Sequence, residues 1–284
     1  MKIRSVLPCL MFLAGANNSL ASNISSVTDP TSNWTVAPTI SLDTGSDQQT
    51  GQGDQDIVGT TQDAGFYTGF DGNNMYFRVR LGKLRSGGYS GLFWVGIDAN
   101  GDGALDLFVG VNNQGSTTNI GFFAPGTGAN TSPSTTSIAN AVPQYQIAEN
   151  SSNFDYEVVT NTIAPGVINT DINGDTNTDA MLSFRVPFAG ASGTATLQGA
   201  FQGLANMSIS TATLLSFVIA TSTQANSLNQ DLGGINGGVN STTTFAALGA
   251  LSPAVSTTLP EPATIGSFGA GLLLLTFIRN RQRR

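Results

Sequence analysis

The chain has 284 residues, 34 of them glycine, with a formal net charge of −7, one cysteine and no histidine. Without histidine, imidazole-based catalysis and imidazole metal sites are excluded, and a lone cysteine cannot close an intramolecular disulfide. Acids outnumber bases by 18 to 11, which argues against a nucleic-acid surface.

The chain opens on Met1, Lys2, Ile3 and Arg4, a basic start, followed by a mostly apolar stretch over residues 6–16. Ser19, Leu20 and Ala21 form a small-x-small cleavage site. This order reads as a secretory signal peptide over residues 1–21, cut after Ala21. The apolar stretch is too short to span a bilayer. Cys9 leaves with it, so the exported chain has no thiol nucleophile and no thiolate metal ligand. Between Ser22 and Leu259 stand 17 acids and five bases (Arg78, Arg80, Lys83, Arg85 and Arg185), a net charge of −12. Such a balance suits divalent cations and a neutral or anionic matrix.

Residues 22–258 are expected to form one all-β domain, a single antiparallel β-sandwich of jelly-roll-like type. Residues 75–81 alternate, with Met75, Phe77, Val79 and Leu81 on one face and Tyr76, Arg78 and Arg80 on the other, the pattern of a half-buried strand. Residues 92–97 and, apart from Asp106, residues 105–111 are apolar and read as more fully buried strands. Further strands are expected over residues 120–123, 145–148, 154–160, 181–188, 195–201 and 214–221, with a short helix over 199–207 as the competing reading of one of them. For residues 49–56, 126–137 and 224–241, whose composition is polar, disorder is the competing reading.

The segment from Asp54 to Val111 resembles the sugar-binding β-sandwiches of the family 9 carbohydrate-binding and DOMON type. The likeness rests on Asp71 leading into the alternating strand to Arg80, then on residues 93–98 ending in Asp98. It implies a sandwich more than any ligand.

Residues 98–106 read D-x-N-x-D-G-x-x-D. Asp98, Asn100, Asp102 and Asp106 place oxygen side chains at loop positions 1, 3, 5 and 9, Ala104 offers its carbonyl at position 7, and Gly103 permits a sharp turn, a set that suits calcium. Val109 stands where an EF-hand has its glutamate. With the strand that follows, the loop is similar to the calcium loops of FG-GAP repeats, but a propeller needs several copies. The second copy is degenerate: Asp171, Asn173, Asp175 and Asp179 keep the spacing, Asn177 takes the carbonyl position, and Thr176 replaces the glycine. The competing reading of both is an ordinary Asn-Gly or Asp-Gly turn with solvated acids.

The last 26 residues, 259–284, hold Pro260, Glu261 and Pro262, an uncharged apolar run from Ala263 to Ile278, and Arg279, Arg281, Arg283 and Arg284. As a helix the run would be about 24 Å long, close to a hydrocarbon core of ~30 Å. The arginines are expected on the cytoplasmic side. This order resembles the PEP-CTERM sorting signal of Gram-negative bacteria. The resemblance implies recognition by a membrane-embedded exosortase, a transient membrane helix, removal of the tail, and delivery to the cell surface or extracellular polymer. A plain C-terminal anchor is the competing reading. Leu259 to Ala263 is also similar to the LPxTG signal, but Pro262 and Ala263 stand where that motif has Thr and Gly.

The expected role is structural or adhesive, in a calcium-stabilised exported protein. The alternative is a carbohydrate-binding module for exopolysaccharide, with Trp34 as the candidate sugar contact and Trp94 assigned to the core. An enzyme is not expected, because the exported domain has only two glutamates, Glu149 and Glu157, and its aspartates lie mostly in turns.

Overall fold

The computed structural model describes residues 34–37, 39–116, 118–126, 128–130, 142–159, 169–225, 227–236 and 244–256. The expected signal peptide and the segment 259–284 lie outside the described residues. No helix among the described residues is long and apolar enough to cross a membrane.

Fourteen strands follow along the described chain. They are β1 (Trp34–Val36), β2 (Asp43–Thr44), β3 (Val58–Gly59), β4 (Phe66–Phe70), β5 (Asn74–Leu81), β6 (Leu92–Asp98), β7 (Leu107–Asn112), β8 (Asn119–Phe123), β9 (Tyr145–Ala148), β10 (Phe154–Val158), β11 (Ala180–Pro187), β12 (Leu214–Ser222), β13 (Asp231–Leu232) and β14 (Val255–Ser256). The protein is all-β, with two main antiparallel sheets. One has the order β1-β4-β5-β11-β10. The other runs β13-β12-β6-β7-β8-β9, with β14 pairing β12, and β2 and β3 form a small ribbon of their own.

The alternation of residues 75–81 decides how the sheets meet. Met75, Phe77, Val79 and Leu81 are all but fully buried in a core shared with Phe93, Val95 and Ile97 of β6 and Phe217 of β12. Phe66 touches Phe93 and Phe217 at ring separations of 6.5 and 6.1 Å, and Phe77 touches Phe184 at 5.1 Å. Each such side chain contributes roughly 1.5–3 kcal/mol by leaving water. The two sheets therefore pack face to face.

The continuous apolar runs have a second face to bury. Leu92, Trp94, Phe108 and Phe123 point away from the shared core into another cluster, closed by Leu105, Ala129, Leu228, Leu232, Phe245 and Ala250 from the connections. Trp94 meets Phe123 edge-on at 4.9 Å. Gly110 lies opposite it in β7 because a Cβ there would sit 2.3 Å from the indole. Trp94 is thus core, as expected. Trp34 lies in β1 opposite Gly69.

Three expectations are corrected. Residues 195–201 form no strand: α1 (Leu197–Ala200) runs into a π-helical turn over Phe201–Ala205. Thr196 caps α1 by accepting the Gly199 N–H at 3.0 Å. Leu197, Ala200 and Phe201 are fully buried at helical spacing, and the period-two pattern was incidental. The second sets aside the competing reading of residues 49–56, where Asp54, Gln55 and Asp56 are buried rather than disordered. In the third, the polar face of β5 is covered too. Arg78 Nε donates to Ser183 Oγ at 2.8 Å, Tyr76 Oη to Asp71 Oδ2 at 2.5 Å, and Arg80, 1% exposed, pairs with Asp179. Ser183 on β11, Asp71 before β5 and Asp179 in the loop before β11 offset the cost of that burial.

Candidate metal centre

β6 ends on Asp98, and the chain must turn before β7. Asp98, itself buried, accepts the N–H groups of Asn100, Gly101 and Gly103 at 3.1, 2.7 and 2.9 Å. The turn needs positive φ at Gly101 (77°) and Gly103 (85°). Asn100 Oδ1 accepts from Asp102 N at 2.8 Å, Asp102 Oδ1 from Ala104 N at 2.8 Å, and Asp106 Oδ2 from Ala99 N at 2.9 Å. Asn130 clamps the far side through both backbone groups of Leu105. Burial, then the charges of Asp98 and Asp102, raise the Asp106 carboxyl above the ordinary range.

The loop before β11 repeats four of these bonds, although Asp171 Oδ1 accepts Asp175 N at 3.1 Å where Asp98 Oδ1 accepts Asn100 N and Gly101 N. Thr176 N donates to Asp171 Oδ2 at 3.0 Å, Asp175 N to Asn173 Oδ1 at 3.3 Å, Asn177 N to Asp175 Oδ1 at 2.8 Å, and Ile172 N to Asp179 Oδ2 at 3.1 Å. Gly174 matches Gly101 with φ 70°. Thr176, where the first loop has Gly103, takes φ 71°, a left-handed conformation that a β-branched residue rarely adopts. The substitution that put the turn in doubt is absorbed as strain.

The loops differ at position 9. Asp106 Oδ1 receives Asn100 Nδ2 at 3.3 Å. Asp179 is fully buried and holds Arg80 with Oδ2, at 2.7 Å from Nη2 and 2.8 Å from Nε. Its Oδ1 has no hydrogen-bond partner among the described residues. Burial pushes Asp179 up to about 6, outweighing Arg80, so the pair is charged at neutral pH.

A second acidic site escaped the sequence reading. Among the described residues, the one group of three acidic side chains whose ligand oxygens lie within 4.8 Å of one another is Asp43, Asp47 and Asp231. β2 supplies Asp43 and β13 supplies Asp231, both buried. Gly234 N donates to Asp43 at 2.9 Å, and Ile57 N and Leu232 N donate to Asp231 at 2.6 and 2.7 Å. Neither Asp43 nor Asp231 joins an ion pair among the described residues. Burial, then the charges of Asp231 and Asp47, push Asp43 up to about 9; burial and Asp47 raise Asp231 well above the ordinary range. Asp56 lies beside them, raised by burial, and accepts Asn173 Nδ2 at 3.0 Å, which ties this cluster to the second loop.

All these groups are oxygen ligands, and they suit a hard cation such as calcium rather than a soft metal. Among the described residues, Asp43, Asp47 and Asp231 are able to hold one, whereas the acids of neither loop bring three ligand oxygens within 4.8 Å of one another. Comparison with protein-family models, with curated proteins and with solved structures finds no match to this chain.

Proposed function

We propose that the chain is an exported structural or adhesive protein of the cell surface or extracellular matrix, with a jelly-roll-like sandwich stabilised by calcium. The observation that carries the calcium reading is the shared wiring of two loops in different places, kept even where Thr176 must be strained to keep it. A solvated turn has no use for such a repeat. The jelly-roll-like reading is supported by the chain's crossings between sheets after β5, β9 and β11. The side chain of Trp34, the candidate sugar contact of the alternative reading, lies outside the described residues, and the exposed large hydrophobics among the described side chains are Val36, Leu42, Leu84, Val142 and Leu214.

Two like charges ~4 Å apart near a surface repel by about 4 kcal/mol before screening, and the three carboxylates of the first loop, whose oxygens are not all within 4.8 Å of one another, repel less. A bound cation removes that repulsion. At a hundredfold excess over its dissociation constant it stabilises the fold by about 2.7 kcal/mol per site, a rise of roughly 5–10 °C in melting temperature. Loops of this kind in extracellular modules bind at about 0.1–1 mM. The purified chain is therefore expected to melt higher in millimolar calcium than in EGTA, with magnesium helping less. Asp102 is exposed, so Asp102→Ala removes a ligand at little packing cost and is expected to lower the calcium benefit. Equal melting temperatures in all three conditions would reduce both loops to ordinary turns.

Sorting belongs to the same proposal. Its support is the order of Pro260, Glu261, Pro262, the apolar run and the arginines. Replacing the triplet by alanines in an exosortase-bearing host is expected to leave an uncleaved, membrane-held precursor. Processing and release at the wild-type rate would remove the triplet as a recognition element.

A further inference from the structure

Between β9 and β10 the chain crosses from the seven-stranded to the five-stranded sheet, and a cleft of about 520 Å³ opens beside the crossing. That volume lies in the range of ligand sites, roughly 300–1,000 Å³. Phe154 and Tyr156 line it from β10, and Tyr89 lies behind, its ring 5.5 Å from that of Tyr156. Tyr156 is held in place: its hydroxyl accepts Arg85 N at 2.9 Å and donates to the Lys83 carbonyl at 3.0 Å.

The opposite side is acidic. Glu149 lines the cleft next to Asn113, and Asp155 adds a second carboxylate. Glu149 Oε1 and Asn113 Oδ1 are buried acceptors with no hydrogen-bond partner among the described residues. Burial pushes Glu149 up to about 7, against a lowering hydrogen bond from Asn113. No lysine or arginine lines the cleft. Arg85 turns its guanidinium to Asp54 at 3.2 Å.

This set selects its ligand by elimination. An anion meets two carboxylates. An apolar group leaves the two orphan acceptors without donors, at a desolvation cost. A metal ion lacks a converging third carboxylate here, since Glu149 and Asp155 belong to no such cluster among the described residues. A primary ammonium group meets every demand. Its three N–H donors serve Glu149 Oε1 and Asn113 Oδ1, and its charge lies against aromatic faces. Glu149 is only partly buried, and its broad terminal torsion lets Oε1 turn into the cleft. We propose that this cleft binds a primary ammonium group, carried by an amino sugar of a polysaccharide or by a lysine side chain of a protein. The proposal stands independently of the calcium reading.

The test uses small monovalent amines, so that polycation adsorption to an acidic protein does not enter. Glucosamine and Nα-acetyl-lysine amide are titrated calorimetrically into the purified chain, with N-acetylglucosamine and the Nε-acetylated lysine as controls. At least one free amine is expected to bind, and its acetylated form at least tenfold more weakly. Which of the two binds more tightly identifies the source. Glu149→Gln is expected to weaken binding about tenfold and Phe154→Ala several-fold, both read at a temperature where each variant is fully folded, since Phe154 also packs against the core. Glu157→Gln removes the same charge from a position that does not line the cleft and is expected to leave binding unchanged. The proposal is overturned if neither amine binds at millimolar concentration, if acetylation makes no difference, or if Glu157→Gln weakens binding as much as Glu149→Gln.

Discussion

Arg80→Met is expected to destabilise the folded chain by about 3–5 kcal/mol, the loss that follows when one partner of a buried ion pair is removed. Arg80 is 1% exposed, and its guanidinium holds Asp179 at 2.7 Å, Asp63 at 3.7 Å and the Asn169 carbonyl. Methionine fills much of the volume but leaves the Asp179 carboxylate uncompensated inside the protein. Already pushed up to about 6 by burial, that group rises further once Arg80 is gone. A carboxyl whose folded pKa is raised holds its proton in the folded state above the pH at which the unfolded chain releases it. Its contribution is therefore complete below the unfolded value and is lost as pH rises through the folded one. Urea unfolding of the variant should show the deficit growing from pH 5 to pH 8. Adding Asp179→Leu should recover most of the loss, because an apolar pair often replaces a buried ion pair at little cost. A deficit below about 1 kcal/mol for the single variant at pH 8 would mean that the pair is not buried as described.

In EGTA, the stability of the wild-type chain is expected to fall steadily from pH 5 to pH 9. Asp43 is raised to about 9 and Asp231 well above the ordinary carboxylate range, so between pH 4 and those values the folded state binds protons that the unfolded state does not. Each such proton costs about 1.4 kcal/mol of stability per pH unit as the pH climbs. Asp179, Glu149 and Asp106 act in the same direction over narrower windows. Asp43→Asn isolates the cluster: the amide keeps an oxygen for Gly234 N and carries no charge. Its profile is expected to be flatter, with the gain over wild type largest at pH 9 and small at pH 5. If the cluster takes a cation, millimolar calcium flattens the wild-type profile, while the variant keeps the slope it has in EGTA and gains only what its two loops provide. Parallel profiles for the two proteins in EGTA would show that Asp43 holds no extra proton.

The elements that could be read from the sequence are those whose burial follows one period. β5 shows its inward face by alternation, and β6 and β7 show two buried faces by having no polar face to alternate with. Residues 195–201 satisfied two periods at once, and the buried trio Leu197, Ala200 and Phe201 decided for the helix. Two-residue strands such as β2 and β13 are too short to show any period. The two D-x-N-x-D loops were legible because their oxygens are contiguous in sequence. The cluster of Asp43, Asp47 and Asp231 was not, because it joins residues nearly two hundred positions apart and one of the three, Asp231, lies in a stretch whose polarity resembles a linker. The burial of Tyr76, Arg78 and Arg80 was equally hidden, since for Arg78 and Arg80 it depends on Ser183 and Asp179, about a hundred positions away, and for Tyr76 on a turn acid that no period marks.

The pairing of β14 with β12 also has a mechanical side. Val255 and Ser256 meet Leu215 and Leu214 in a ladder two residues long. A pull from the C-terminal side loads this ladder first, and so short a ladder peels open one rung at a time rather than shearing as a block. The next hold is stronger: Ser252 exchanges both of its groups with Phe217, its N–H reaching the carbonyl at 2.8 Å and its Oγ receiving the N–H at 2.9 Å. Ala250 and Phe245, buried behind it against Trp94's cluster, take the load after that. The last strand acts as a short compliant leader, and the sandwich behind it is spared until the leader has run out.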